Sequence, residues 1–85
     1  MPIPLQELSH RVLAVRHNIT QIESQISMTG QQVNASRGTP QEVPLMQRMK
    51  ELEVELTKAR EYSQRLIEVY TLRILILSYS NIVAH

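Results

Sequence analysis

Apolar residues recur through the first third of the chain in steps of three and four. Leu5, Leu8, Val12, Val15, Ile19, Ile22 and Ile26 follow one another at those steps, and Val33 resumes the series after Thr29. On an α-helix such positions form one narrow seam, the pattern of a coiled coil. A second seam follows a break at Thr39-Pro40: Met49, Leu52, Leu56 and Ala59, then Leu66 and Tyr70. Two seamed helices joined by a turn predict an all-α fold, an antiparallel two-helix hairpin of coiled-coil type, with residues 1–85 as a single domain.

Local signals set the boundaries. Pro2 and Pro4 suit a lead-in or a first turn but not a helix interior, so helix one is predicted over about residues 5–35. Gly30 costs about 1 kcal/mol relative to alanine within a helix. The Met28-Thr29-Gly30 stretch also removes one seam residue, which predicts fraying or a bend. Asn34-Ala35-Ser36-Arg37-Gly38 reads as a helix end, with Gly38 suited to a left-handed C′ position. Thr39-Pro40-Gln41-Glu42 reads as a cap, a proline at the first helical position and a glutamate returning to the cap amide. With Thr39 as cap, Pro44 has no N–H for the Pro40 carbonyl. The expectation is therefore a turn over 36–44 with a bend, then a long helix over about 45–84. Glu61 and Arg65 are spaced for a favourable i,i+4 pair, whereas Glu51 and Glu55 are spaced for repulsion.

From Leu66 the pattern changes. Leu66, Ile67, Val69, Tyr70, Leu72, Ile74, Leu75, Ile76, Leu77, Tyr79, Ile82 and Val83 cannot all lie on one stripe. A helix that is apolar all round is a buried one. At 1.5 Å per residue helix one is ~45 Å long and helix two ~60 Å. Folding back would set Leu5 beside roughly Ile76 and leave Leu77 to Ala84 beyond the hairpin. The chain is thus expected to carry an extended apolar C-terminal helix that it cannot cover itself, and large exposed apolar patches mark interaction sites. A segment that curls back or turns into a strand is the competing expectation, since Ile, Val and Tyr favour strands. The residues assigned to partner binding are Tyr62, Ile67, Ile74, Leu75, Leu77, Tyr79, Ile82 and Val83. Tyrosine is a common interface anchor.

Composition narrows the function classes. The chain has 85 residues, and two helices of that size form a marginal monomer. It has no cysteine, so disulfides, thiolate ligands and a cysteine nucleophile are excluded, which suits a reducing compartment. Nine Lys and Arg balance eight Asp and Glu, for a formal net charge of +1. Nucleic-acid binders show a basic excess or stripe. Phe and Trp are absent and only three Tyr are present, so base-stacking platforms are not expected either. The start, Met1-Pro2-Ile3-Pro4-Leu5, has no basic region followed by an apolar one, as a secretory signal would. The most apolar segment, Ile74 to Ala84, falls short of the ~20 residues of a membrane span.

Candidate chemistry is sparse. His10 and His17 share a helix face away from the seam, but their spacing is too long for two ligands on one metal. Ser9, His10 and Ser24 make no nucleophile–base–orienter arrangement. Glu51, Glu53 and Glu55 do not face one another on a helix. Gly30 and Gly38 are too few for a phosphate loop. The expectation is no enzyme, no cofactor and no metal.

The break Ser36-Arg37-Gly38-Thr39-Pro40-Gln41, then Gln47-Arg48, Lys50-Glu51-Leu52-Glu53 and the apolar Ile67-Glu68-Val69-Tyr70 resemble a bacterial secretion family. The chain is similar, from about Leu5 to Arg73, to the small co-chaperones of type III secretion needle subunits (the YscE type). The resemblance implies a non-enzymatic cytoplasmic hairpin that binds a helical-repeat chaperone. Through that chaperone it would hold the needle subunit soluble. The very apolar segment after Arg73 departs from the family pattern. Two other readings share the hairpin. A needle or inner-rod subunit also has a proline-containing turn and a C-terminal helix that is unstable alone, but usually carries an aromatic-rich N-terminal segment, and here no aromatic precedes Tyr62. A coiled-coil adaptor would form homo-oligomers through the Leu5–Ile26 seam.

Overall fold

The computed structural model describes residues 3–84, and side chains as far as residue 82. Two helices, α1 (Leu5–Ala35) and α2 (Glu42–Ala84), pack against each other along the length of α1. No strand occurs among the described residues. The molecule is a rod measuring 70 × 19 × 15 Å.

The two seams meet as their spacing predicts. Every α1 position in the series 5, 8, 12, 15, 19, 22, 26, 29 and 33 is buried or half-buried, and so is every α2 position in the series 45, 49, 52, 56, 59, 63, 66, 70 and 73. Both series alternate steps of three and four, so the facing stripes stay in register along the whole contact. The centre of the seam is dry: Leu8 is 2% exposed and Leu52 1%, with Ile22 and Leu66 also buried. Two hydroxyls share that centre. Thr29 and Ser63 are buried, and among the described residues no buried side-chain polar atom lacks a partner. Thr29 therefore keeps the seam continuous where the sequence predicted a missing residue.

The expected fraying or bend at Gly30 is not present. Helix α1 passes through Gly30 without interruption, because the methyl end of Met49 fills the space above it. A Cβ at that position would lie 3.3 Å from Met49 Cε. Residue 30 is thus a contact point between the helices, not a weak point in one of them.

The turn is shorter than predicted. The Ser36 amide closes α1 by donating to the Gln32 and Val33 carbonyls. Gly38 then takes φ +78°, the left-handed conformation that glycine adopts without cost. The Thr39 amide and hydroxyl both donate to the Ser36 carbonyl, at 3.0 and 2.5 Å. The Glu42 carboxylate reaches back to the Gly38 amide at 2.6 Å, not to the Thr39 amide. Thr39 therefore closes the end of α1 and does not cap α2. Helix α2 begins at Glu42, three residues before Leu45, and runs on without interruption, since Pro44 falls in its first turn. Amides there need no intrahelical partner, and the next one, of Leu45, already donates to the Gln41 carbonyl at 3.2 Å.

Ion pairs decorate the surface. Arg48 lies 3.5 Å from Glu51 and 3.8 Å from Glu55, so a cation shared between the two carboxylates offsets the predicted repulsion. Arg60 reaches Glu23 across the hairpin at 3.6 Å. The predicted Glu61–Arg65 pair is not within 4.0 Å among the described residues. These pairs are exposed and each contributes at most about 1 kcal/mol.

Candidate interaction surface

Helix α1 ends its cover of α2 at Arg73. Arg73 occupies a seam position, and its guanidinium donates to the Ile3 carbonyl at the open end of the hairpin. A charged group at that place in the seam closes the apolar contact with a hydrogen bond to backbone. The N-terminal end of α1 thus lies beside Arg73 and not beside Ile76, so the uncovered part of α2 starts at Ile74, earlier than the length argument predicted.

Beyond Arg73 the apolar side chains face solvent. Exposure runs from 38% at Ile74 to 74% at Ile82, with Leu75, Ile76, Leu77 and Tyr79 between. The segment neither curls back nor forms a strand: α2 continues to Ala84. The expectation of an extended apolar C-terminal helix is nevertheless not met as stated. Among the described residues there is no separate apolar helix. Residues 74–84 are the last turns of α2, whose first half is strongly polar, and no helix of the described residues is long and apolar enough to cross a membrane.

The predicted contact residues fall into three places. Ile74, Leu75, Leu77, Tyr79 and Ile82 lie together on these last turns. Tyr62 is exposed but stands near the middle of the hairpin. Ile67 is half-buried against α1, in a shallow notch with Ser9, Val12, Leu13, Arg16 and Tyr70. Val83 lies outside the described side chains.

Three further exposed residues belong with the surface: Val69, Leu72 and Ile76. At 100° per residue, Val69, Leu72, Ile76 and Tyr79 fall about 100–110° around the helix axis from the seam, on a flank of α2 beside α1 and not on the face turned away from it. Leu75 and Ile82 fall nearly opposite the seam, on the face turned away from α1. Ile74 and Leu77 instead prolong the seam side. The signal that separates the faces is present in the sequence as steps of three and four through 69, 72, 76, 79 and 83, offset from the seam series 66, 70, 73 and 77.

Elsewhere the surface offers little chemistry. His10 is exposed, and His17 is exposed beside Gln21, 3.2 Å between ring and amide nitrogens. Among the described residues no three His, Cys, Asp or Glu side chains are grouped to hold a metal ion. Glu51 and Glu55 are turned to Arg48, as above. Compared with known protein families, with curated proteins and with solved structures, the chain matches none.

Proposed function

We propose that this chain is a binding protein of the type III secretion co-chaperone kind. It docks the apolar end of α2 onto a helical-repeat chaperone, and the pair keeps a needle subunit soluble in the bacterial cytoplasm. The observation that carries the reading is the group of exposed apolar residues beyond Arg73, which nothing else among the described residues covers. A helix apolar on more than one side fits a concave groove better than a flat surface, because a groove can enclose it. The break and α2 motifs that resemble the needle-subunit co-chaperones add the biological setting.

The test is co-expression with a helical-repeat chaperone of a type III system, followed by co-purification. Wild type is expected to co-purify. Leu75→Asp and Ile82→Asp are expected to abolish co-purification while circular dichroism shows an unchanged helix content. Loss of helicity together with binding would make these residues part of the folded core and remove the basis of the reading. Open-ended filaments of the chain alone at high concentration would favour a needle or inner-rod subunit instead.

A further inference from the structure

We propose that the face of α2 turned away from α1 binds the same face of a second copy, running antiparallel about a two-fold axis near residue 63. The proposal does not rest on the secretion reading.

That face carries a heptad series of its own. Val54, Lys58, Glu61, Arg65, Glu68, Leu72, Leu75, Tyr79 and Ile82 alternate steps of four and three, the spacing of a helix pair. Each of the first seven stands two residues after a seam position, so the series faces about 160° away from the seam. All nine are exposed. A second helix laid along them is clear of α1.

Charge selects both the occupant and its direction. The middle of the series reads Lys58, Glu61, Arg65, Glu68. Among the described residues none of the four lies within 4.0 Å of an opposite charge. Glu68 accepts a hydrogen bond from the Gln64 amide at 3.3 Å. Paired with itself in the reverse direction, the pattern is complementary at every position. Lys58 of one copy faces Glu68 of the other, Glu61 faces Arg65, and the two-fold axis repeats both pairs. Such self-complementarity is what a two-fold interface demands. A parallel pair would set each of the four against its own like charge. Sliding the antiparallel pair by one heptad sets Glu51 against Glu68 in one direction, and Lys58 and Glu61 against Leu75 and Leu72 in the other.

The register that pairs the charges also fits the helix. Helix α2 runs from Glu42 to Ala84, so an axis at its midpoint, residue 63, overlaps the two copies from end to end. On each side of the charged centre Val54, 53% exposed, faces Leu72, 58% exposed. Further out, Tyr79 and Ile82 of one copy lie against Gln47 and Pro44 of the other, with exposed Val43 beside them. Leu75 falls opposite Glu51, whose carboxylate is already held by Arg48 at 3.5 Å. The apolar end of each copy is thus covered by the turn end of the other. Ile74 and Leu77, on the seam side, stay free.

A helix pair about 64 Å long covers on the order of 1,500 Å² in total, the standard size of a specific interface. Exposed ion pairs add little strength and act mainly on register and direction, so the dimer dissociates on dilution. The dimer is a four-helix layer with the two α1 helices outermost, and its length stays near the 70 Å of one rod.

Sedimentation velocity and small-angle scattering of the full chain test this, from about 1 to about 500 µM. The expected result is a reversible monomer–dimer equilibrium in which the dimer is thicker than the monomer but no longer. Arg65→Glu and Glu61→Arg are each expected to weaken the dimer at least about tenfold at unchanged helix content. The double exchange, Glu61→Arg with Arg65→Glu, is expected to restore it. Arg16→Glu, which changes the net charge as much but lies on α1, is expected to leave it intact. Because the chain has no cysteine, disulfides read the register. A mixture of Val54→Cys and Leu72→Cys chains is expected to form the mixed disulfide on mild oxidation, and neither chain alone is expected to cross-link, since each cysteine then sits far from its own copy. A monomer throughout, open-ended polymer, a dimer of about twice the length, a dimer indifferent to Arg65→Glu, or a double exchange that fails to restore association would each overturn the proposal. Val54→Cys cross-linking to itself as readily as to Leu72→Cys would overturn the antiparallel register. All of these outcomes are read on the chain alone, so none depends on whether a helical-repeat chaperone binds.

Discussion

Leu52 and Leu75 are the same amino acid on the same helix, and position alone gives them different work. Leu52 is 1% exposed in the centre of the seam, whereas Leu75 has no neighbour from α1. Removing three carbons from Leu52 forfeits their transfer energy and leaves a cavity between two helices that cannot collapse independently. Leu52→Ala is expected to destabilise the hairpin by about 2–4 kcal/mol, a large share of what so small a core supplies. Leu75→Ala is expected to change stability by no more than about 0.5 kcal/mol, as surface substitutions do. Urea denaturation of the two variants, followed by circular dichroism, checks both figures. Thr29 and Ser63 show the same rule from the other side. They are polar residues made interior by their place in the heptad, which is why a search for apolar residues alone passes over them.

At the scale of elements, the turn decides how the two helices meet. Its hydrogen bonds run from Gly38 and Thr39 to groups on both sides, and Glu42 links the end of the turn to the Gly38 amide. Gly38 has φ +78°, and a Cβ there would meet nothing within 4 Å. The cost of Gly38→Ala is therefore backbone strain alone, with no steric contribution. It is expected to be about 1 kcal/mol, seen as a lowered melting temperature with no change in helix content. The capping motif Thr39-Pro40-Gln41-Glu42 was legible as a helix boundary. Its bonding was not, because the left-handed turn at Gly38 brings that amide, instead of the Thr39 amide, within reach of the Glu42 carboxylate. Pro44 was legible as a break for a similar reason. Its harmlessness depends on α2 starting at Glu42, which places the missing amide in the one turn where none is needed.

For the whole molecule, the buried core and the exposed apolar end lie in separate parts. Leu8, Ile22, Thr29, Leu52, Ser63 and Leu66, the buried residues, all lie before Arg73. The exposed apolar stretch lies mostly after it. Ending the chain after Arg73 is expected to leave the melting temperature of the hairpin within a few degrees of the full chain, and to abolish co-purification with a helical-repeat chaperone. Thermal melts and co-purification of the shortened chain check this. A collapse of the hairpin would show instead that the last turns of α2 stabilise it through contacts along the helix. The arrangement also limits where a thin hairpin can offer an apolar surface. Its seam is consumed in folding, so a wide apolar surface must come from helix that outlasts the seam.

The heptad steps by themselves determined the two helices, their antiparallel pairing and the faces they bury, because a 3.5-residue period leaves only one stripe per helix to hide from water. They also determined that the end of α2 carries more apolar residues than one seam can use. Only the tertiary structure decided the register. Which residue of α2 stands beside Leu5 depends on the residues consumed by the turn and on Arg73 meeting the Ile3 carbonyl, and a shift of one heptad would look the same in the sequence. The register in turn decided where cover ends and so which apolar residues are left in solvent. It also decided that Gly30 is a contact and not a bend, since that depends on Met49 arriving opposite it from a segment nineteen positions away.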